Sequence, residues 1–380
     1  MNNQNQSFDW INSSVKLQDL VKKLKSNKVI AVDTESNSLF AYQEQVCLIQ
    51  FSTAKKDFLV DPLSIQDLTP LGEIFKDPKI EKIFHAAEYD IICLKRDFNF
   101  EFENLFDTMI ASRILGRKSV GLAAMLEEEL GIVVNKKYQR ANWGMRPLTD
   151  EMLSYARYDT HYLIELRKKL LEELREKELS DLANEDFQRL NKINPNNSDN
   201  NGEDCWKVAK GNHISSEQAA ILRELCHYRD IVAQKANLPL FKIISNKALI
   251  NIAISAPESK KELYAVDGLS SRLVDRHHEG LLSAIQSGKQ APPLRRPPSQ
   301  PRPSEEYITR TEALKDWRKN AAKKLDVESD VVMPREAIDR IAFENPKNLN
   351  QLQAVLSDLP FRFNRFGNEI VQVLQQLEEA

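Results

Sequence analysis

In 29-VIAVDTESNSLF-40, four apolar residues run straight into Asp33-Thr34-Glu35, so two carboxylates stand where a buried strand would end. A run of Val, Ile and Ala bounded by turn formers reads as a strand covered on both faces. Strand side chains alternate, which places Asp33 and Glu35 on the same side. For an isolated D-x-E, an ion pair or a decorated sheet edge is the plain explanation. The sequence around it must decide between that and chemistry.

Further candidate strands are 46-VCLIQFS-52, 57-DFLVD-61 and 81-EKIFHA-86, with amphipathic helical stretches between and after them. Residues 1–190 therefore read as an α/β domain. Composition then shifts to Asn, Asp, Ser, Gly and Pro, giving a polar linker over 191–210. Residues 211–288 read as a small helical domain, 289–306 as a proline-rich and extended linker, and 307–380 as a second helical domain. The two helical segments are copies. Leu225, Tyr228, Arg229, Ala233, Ala248, Ala253, Pro257 and Leu263 recur 89 residues later as Leu314, Trp317, Arg318, Ala322, Ala337, Ala342, Pro346 and Leu352. Heptad coincidence does not also reproduce a proline and an aromatic-Arg pair.

A chain of 380 residues with 53 Lys and Arg against 56 Asp and Glu has no bulk charge that names a partner. A nucleic-acid ligand would have to be held by local basic patches. Cys47, Cys93, Cys205 and Cys226 are far apart, which argues against a zinc cage or a disulfide framework and for reduced, buried thiols. The opening MNNQNQSFDW lacks the regions of a signal peptide, and no apolar run is long enough to span a bilayer. The expected location is the cytoplasm, without a membrane association. No segment points to an obligate protein partner.

Two more acids sit in informative contexts. Asp90 follows a short strand and opens an amphipathic stretch in which Ile91, Ile92 and Leu94 face inward. Tyr155 and Asp159 are four apart on a helical segment and share a face. Taken singly, Asp90 reads as a helix cap and Asp159 as a solvent-facing acid. Four carboxylates converging on one site would repel, and such a cluster persists only if cations neutralise it. Oxygen donors without clustered His or Cys point to Mg²⁺ or Mn²⁺. Two such ions, roughly 3.5–4 Å apart, form a clamp suited to in-line attack on phosphodiesters. A tyrosine one turn before the last acid is placed to hold the attacking water.

The ordered set Asp33-Thr34-Glu35, Asp90 and 155-YARYD-159 resembles the three motifs of the DEDD exonuclease superfamily, in the subgroup whose third motif is Y-x-x-x-D. More narrowly, 46-VCLIQFS-52, 84-FHAAEYD-90, 106-FDTMIASRILG-116 and 143-WGMRPLTDEMLSYARYDTHYL-163 resemble the ribonuclease D family, and the helical repeat resembles its HRDC modules. The resemblance implies a ribonuclease H-like α/β domain and metal-dependent 3′-to-5′ removal of single nucleotides from RNA as 5′-monophosphates. Trimming of tRNA precursors and other stable RNAs is the role it implies. It also implies that Asp33, Glu35, Asp90 and Asp159 bind the metal, with Asp33 bridging both ions, and that Tyr155 completes the catalytic set.

Other residues carry double readings. Leu39 and Phe40 are placed to wedge against terminal bases, and core packing explains them equally. Lys136, Lys137, Arg140 and Arg146, interleaved with Tyr138 and Trp143, suit a single strand whose phosphates meet cations and whose bases stack on rings. A plain solvated loop is the alternative. A second basic cluster, residues 289–324, holds ten basic residues against four acidic. The two helical modules are expected to act as tethers for structured RNA. His85 reads as a buried hydrogen-bonding histidine rather than a base, and Asp107 as a helix N-cap. The rivals to an exoribonuclease are a DNA exonuclease of the same superfamily, which the acids do not distinguish, and a non-catalytic RNA scaffold, which the intact acids oppose.

Overall fold

The computed structural model describes residues 8–135, 137–195, 205–296 and 302–378. The first domain contains β1 (Phe8–Ile11), α1 (Ser14–Lys25), β2 (Val29–Ser36), β3 (Val46–Ser52), β4 (Asp57–Val60) and α2 (Thr69–Lys76). It continues through β5 (Glu81–Phe84), α3 (Glu88–Phe98), β6 (Leu105–Asp107), α4 (Thr108–Ile114) and α5 (Leu122–Leu130) to α6 (Asp150–His161), α7 (Leu163–Glu176) and α8 (Ser180–Asn191). Its six strands lie in the order β1-β4-β3-β2-β5-β6. β2 is antiparallel to β3 and parallel to β5, so it is an inner strand with both edges paired. The apolar run behaves as its composition requires, with Ile30, Ala31 and Val32 wholly buried. The α/β class is as expected. β1 and β6, of four and three residues, were not among the candidate strands.

The helical repeat holds element by element. Helices at 216–236, 240–243, 246–255, 260–263 and 271–290 recur at 305–325, 329–332, 335–344, 349–355 and 360–376, every start offset by 89 residues. The duplicated arginine does the same work twice. Arg229 Nη1 donates to the Ile244 carbonyl at 2.6 Å, and Arg318 Nη1 to the Met333 carbonyl at 3.1 Å. The aromatic before each arginine meets the last helix edge-on, Tyr228 against His277 and Trp317 against Phe366.

Two features depart from the linear reading. The chain forms two compact units, and the second helical module belongs to the same unit as the exonuclease-like sheet, while residues 37–45 group with the first module. The second module is thus no free tether. Arg362 is buried against Glu185 and Asp186 of α8, and Val331 lies in the core formed by α4, α5, α7 and α8. Gly116, at φ +79°, is required here, since a Cβ would stand 2.6 Å from the Asp326 carbonyl. The expected polar linker is also shorter than its composition suggested. Residues Cys205–Val208 form a helical turn, and Cys205, Val208 and Ala209 are buried in the first module's core. The helix Ser271–Gln290 likewise runs into the start of the expected proline-rich segment.

Candidate active site

Strand pairing and one helix assemble the acids. Asp33 and Glu35 project from the same face of β2, and α6 packs across β2, β3 and β4 with Tyr155 and Asp159 on its turns. One carboxylate oxygen from each of Asp33, Glu35 and Asp159 lies within 4.8 Å of the others. Asp90 joins from α3, where the Thr34 hydroxyl donates to its carboxylate. Thr34 thereby ties the strand between the first two acids to the third. Among the described residues, no Lys or Arg forms a salt bridge with any of the four.

The electrostatics follow from this crowding. Burial first, then the charges of Asp90, Asp159 and Glu35, raises the Asp33 carboxyl well above the carboxylate range. Glu35 is raised by burial and by Asp159 and Asp90. Asp90 is pushed up to about 7, chiefly by burial, with the Thr34 hydroxyl opposing the shift. Asp159 also reaches about 7, through burial and the Asp90 charge. An all-oxygen donor set that cannot ionise together without a cation fits a hard divalent ion.

A pH dependence of stability follows. An unfolded Asp titrates near 4, so between about 4 and 7 the folded metal-free protein binds more protons than the unfolded chain. The stability conferred by the protonated acids is complete below that window and is lost as pH rises through about 7. Melting temperature in EDTA should fall across this range, and Mn²⁺ should restore it at the upper end. A flat profile in EDTA would contradict the crowding.

The back of α6 is locked by a network that sequence reading missed. Buried Asp57, at the start of β4, accepts the Ser52 hydroxyl at 2.8 Å and pairs with His161 Nδ1 at 2.8 Å, while the Arg157 guanidinium stands 3.6 Å away as an ion pair without a hydrogen bond from Nε. Ser52 Oγ also meets Thr160 Oγ1 at 2.7 Å. Arg157, Thr160 and His161 alternate with Tyr155 and Asp159 around the helix, so fixing one face orients the other. The available signal was an acid opening an otherwise apolar strand, 57-DFLV-60.

Several expected ligand contacts are redirected. Trp143 is 1% exposed and packs with Leu48, Leu59, Met152 and Ala156, so it cannot stack on a base. Instead its ring lies 6.1 Å from that of Tyr155, which Tyr138 meets edge-on at 6.1 Å. These two rings fix the tyrosine. Arg146 is committed internally, to Asp61 at 2.6 and 3.0 Å and to the carbonyls of Cys47, Trp143 and Met145. Its charge is matched by a nearly buried carboxylate, so its donors are occupied within the protein. Lys137 and Arg140 are exposed, and Lys136 lies outside the described residues. Leu39 is 40% exposed, which excludes core packing for it. Phe40 lies 4.0 Å beneath Lys242 Nζ within the unit of the first module. His85 Nδ1 pairs with the Thr108 hydroxyl at 2.9 Å, and burial lowers its pKa. Asp107 caps α4 through the N–H groups of Met109 and Ile110. Both behave as expected.

Comparison with known proteins agrees with this geometry. Residues 8–175 match the 3′-5′ exonuclease family, and residues 218–285 and 309–374 each match the HRDC domain. The exosome complex exonuclease RRP6 of Saccharomyces cerevisiae is 34% identical over 263 residues, covering 65% of this chain and 36% of that protein. The chain spans about a third of the length of curated relatives it matches. The catalytic core of RRP6 from Trypanosoma brucei superposes with a TM-score of 0.66 at 28% identity, over 76% of this chain and 81% of that one. Escherichia coli RNase D, described as an exoribonuclease involved in structured RNA processing, matches over 98% of this chain and 99% of its own, with a TM-score of 0.69 and 25% identity. Among the described residues, no helix is long and apolar enough to cross a membrane. Residues 8–175 thus form a 3′-5′ exonuclease domain and residues 218–285 and 309–374 two HRDC domains, in a chain similar along nearly its whole length to Escherichia coli RNase D.

Proposed function

We propose that this chain is a metal-dependent 3′-to-5′ exoribonuclease that releases nucleoside 5′-monophosphates and trims the 3′ ends of tRNA precursors and other structured RNAs. The observation that carries it is the convergence of Asp33, Glu35 and Asp159 within 4.8 Å, on a face shared with Tyr155. The residues fit Mg²⁺ or Mn²⁺, with Asp33, Glu35 and Asp159 as direct ligands and Asp90 supporting a second ion. Divalent ions held there would supply Lewis acidity to the water and to the leaving oxygen. The four buried cysteines suit a reducing compartment such as the cytoplasm.

The chain's own groups do the rest. Burial, then the charges of Asp159, Glu35 and Asp33, keep the Tyr155 phenol protonated, so its hydroxyl is available to orient the attacking water. Exposed Lys137 and Arg140, beside Tyr138, are suited to phosphates of the incoming strand. For Tyr155→Phe, the packing against Trp143 and Tyr138 survives and only the hydroxyl is lost. We expect kcat to fall roughly a hundredfold, as for one preorganised hydrogen bond, with KM unchanged. An unaltered kcat would leave Tyr155 a packing residue.

The deciding experiment incubates the full chain with 3′-labelled single-stranded RNA and matching DNA in Mg²⁺, Mn²⁺ or EDTA and resolves products by length. Stepwise shortening of RNA, abolished by EDTA, supports the proposal. Preference for DNA would make it a DNA exonuclease of the same family, and no shortening of either would refute it.

A further inference from the structure

Gln50 lies in the middle of β3, in register directly opposite Asp33. Directly opposed residues of antiparallel strands project on one face, with Cβ atoms roughly 4.5–5.5 Å apart. Leu48 and Ser52 flank Gln50 on that face. Leu48 packs with Met152 and Ala156 of α6, and Ser52 bonds to Thr160 of the same helix. The Gln50 amide therefore sits between the sheet and the helix that carries Tyr155 and Asp159. It is 0% exposed, and among the described residues neither Nε2 nor Oε1 has a hydrogen-bond partner.

An unpaired buried amide costs stability, and Met or Leu would fill the space without that cost. The neighbouring buried polar group of β3 is handled differently, since Ser52 is bonded to both Asp57 and Thr160. From this orphaned amide beside the first acid, we infer that Gln50 is a positioning residue that holds the Asp33 carboxylate for divalent-metal binding. With a divalent ion bound, Nε2–H would turn to donate to one Asp33 oxygen, a bond not formed in this structure, and leave the other oxygen for the cation. A neutral donor suits the place, because a lysine there would compete with the metal for the same carboxylate. The inference rests on the reading of Asp33, Glu35 and Asp159 as metal ligands.

The test uses the full-length protein with Gln50→Met, and Gln50→Leu in case Met overfills the site, with Asp33→Asn as a control. Melting temperature is followed against Mn²⁺ concentration, without RNA. In EDTA the Met or Leu variant should melt at or above the parent. Its Mn²⁺ midpoint should rise by about tenfold or more, as for loss of an outer-shell partner of a metal ligand. A midpoint equal to the parent's would overturn the inference. So would variants that both melt well below the parent in EDTA or fail to fold, because the amide would then be serving the fold itself. A parent that Mn²⁺ stabilises but that degrades no nucleic acid ends the exonuclease reading and leaves the midpoint shift to support or overturn the role of Gln50. A parent that Mn²⁺ does not stabilise overturns both.

Discussion

Asp33→Asn should reduce hydrolysis of RNA by on the order of a thousandfold, the upper range for loss of one preorganised electrostatic group. Asp33 sits on the inner strand and shares its face with Glu35, so its carboxylate is held by the sheet rather than by a loop. The amide isostere keeps the packing and removes an ionisable carboxyl from a group of acids whose pKa values are raised first by burial and then by mutual repulsion. Activity and stability should therefore move in opposite directions. At neutral pH in EDTA the variant should melt above the parent, and in Mn²⁺ the gap should close or reverse. Single-turnover kinetics and melting curves on the same preparation check both halves. Activity within about tenfold of the parent would remove Asp33 from the proposed mechanism.

How much of this was legible in the sequence depends on whether the controlling interactions are periodic. Asp33 and Glu35 were legible because alternation along a strand fixes their common face, and Tyr155 and Asp159 because one helical turn separates them. The helical duplication was legible because its offset is constant across every helix. Trp143 was misread for an equally physical reason. A tryptophan amid basic residues looks like a stacking platform, but its burial depends on Leu59 and Met152, which no local pattern brings together. Arg146 was misread because its partner, Asp61, lies 85 residues away. Asp57 was not singled out, since its value lies in Arg157, Thr160 and His161 on a distant helix. The docking of the second HRDC domain is of the same non-local kind, and it changes what a truncation can show.

Arg362→Ala should destabilise the unit containing the exonuclease domain by about 3–5 kcal/mol, the cost of removing one partner from a buried ion pair. The guanidinium is 0% exposed. Nη1 donates to Glu185 at 2.5 Å and to Asp186 at 2.8 Å, and Nη2 to Asp186 at 2.8 Å and to the Val331 carbonyl at 2.9 Å. Glu185 in turn accepts from the Phe361 backbone N–H at 2.6 Å. Without Arg362, two carboxylates on α8 remain near the interface with no cation of comparable geometry, and a lysine could not reproduce the bidentate contact. Arg362→Lys should thus recover only part of the loss. Urea denaturation of the full chain gives the stability difference, and kcat on a short unstructured RNA at low temperature gives the functional one. The second should stay near the parent's value, because none of these groups belongs to the acid cluster. A stability loss below about 1 kcal/mol would place Arg362 with ordinary surface pairs and restore the second module as a loosely held tether. A large loss means that deleting residues 302–380 would unfold part of the nuclease itself, so the resulting fall in RNA processing could not be attributed to lost RNA binding.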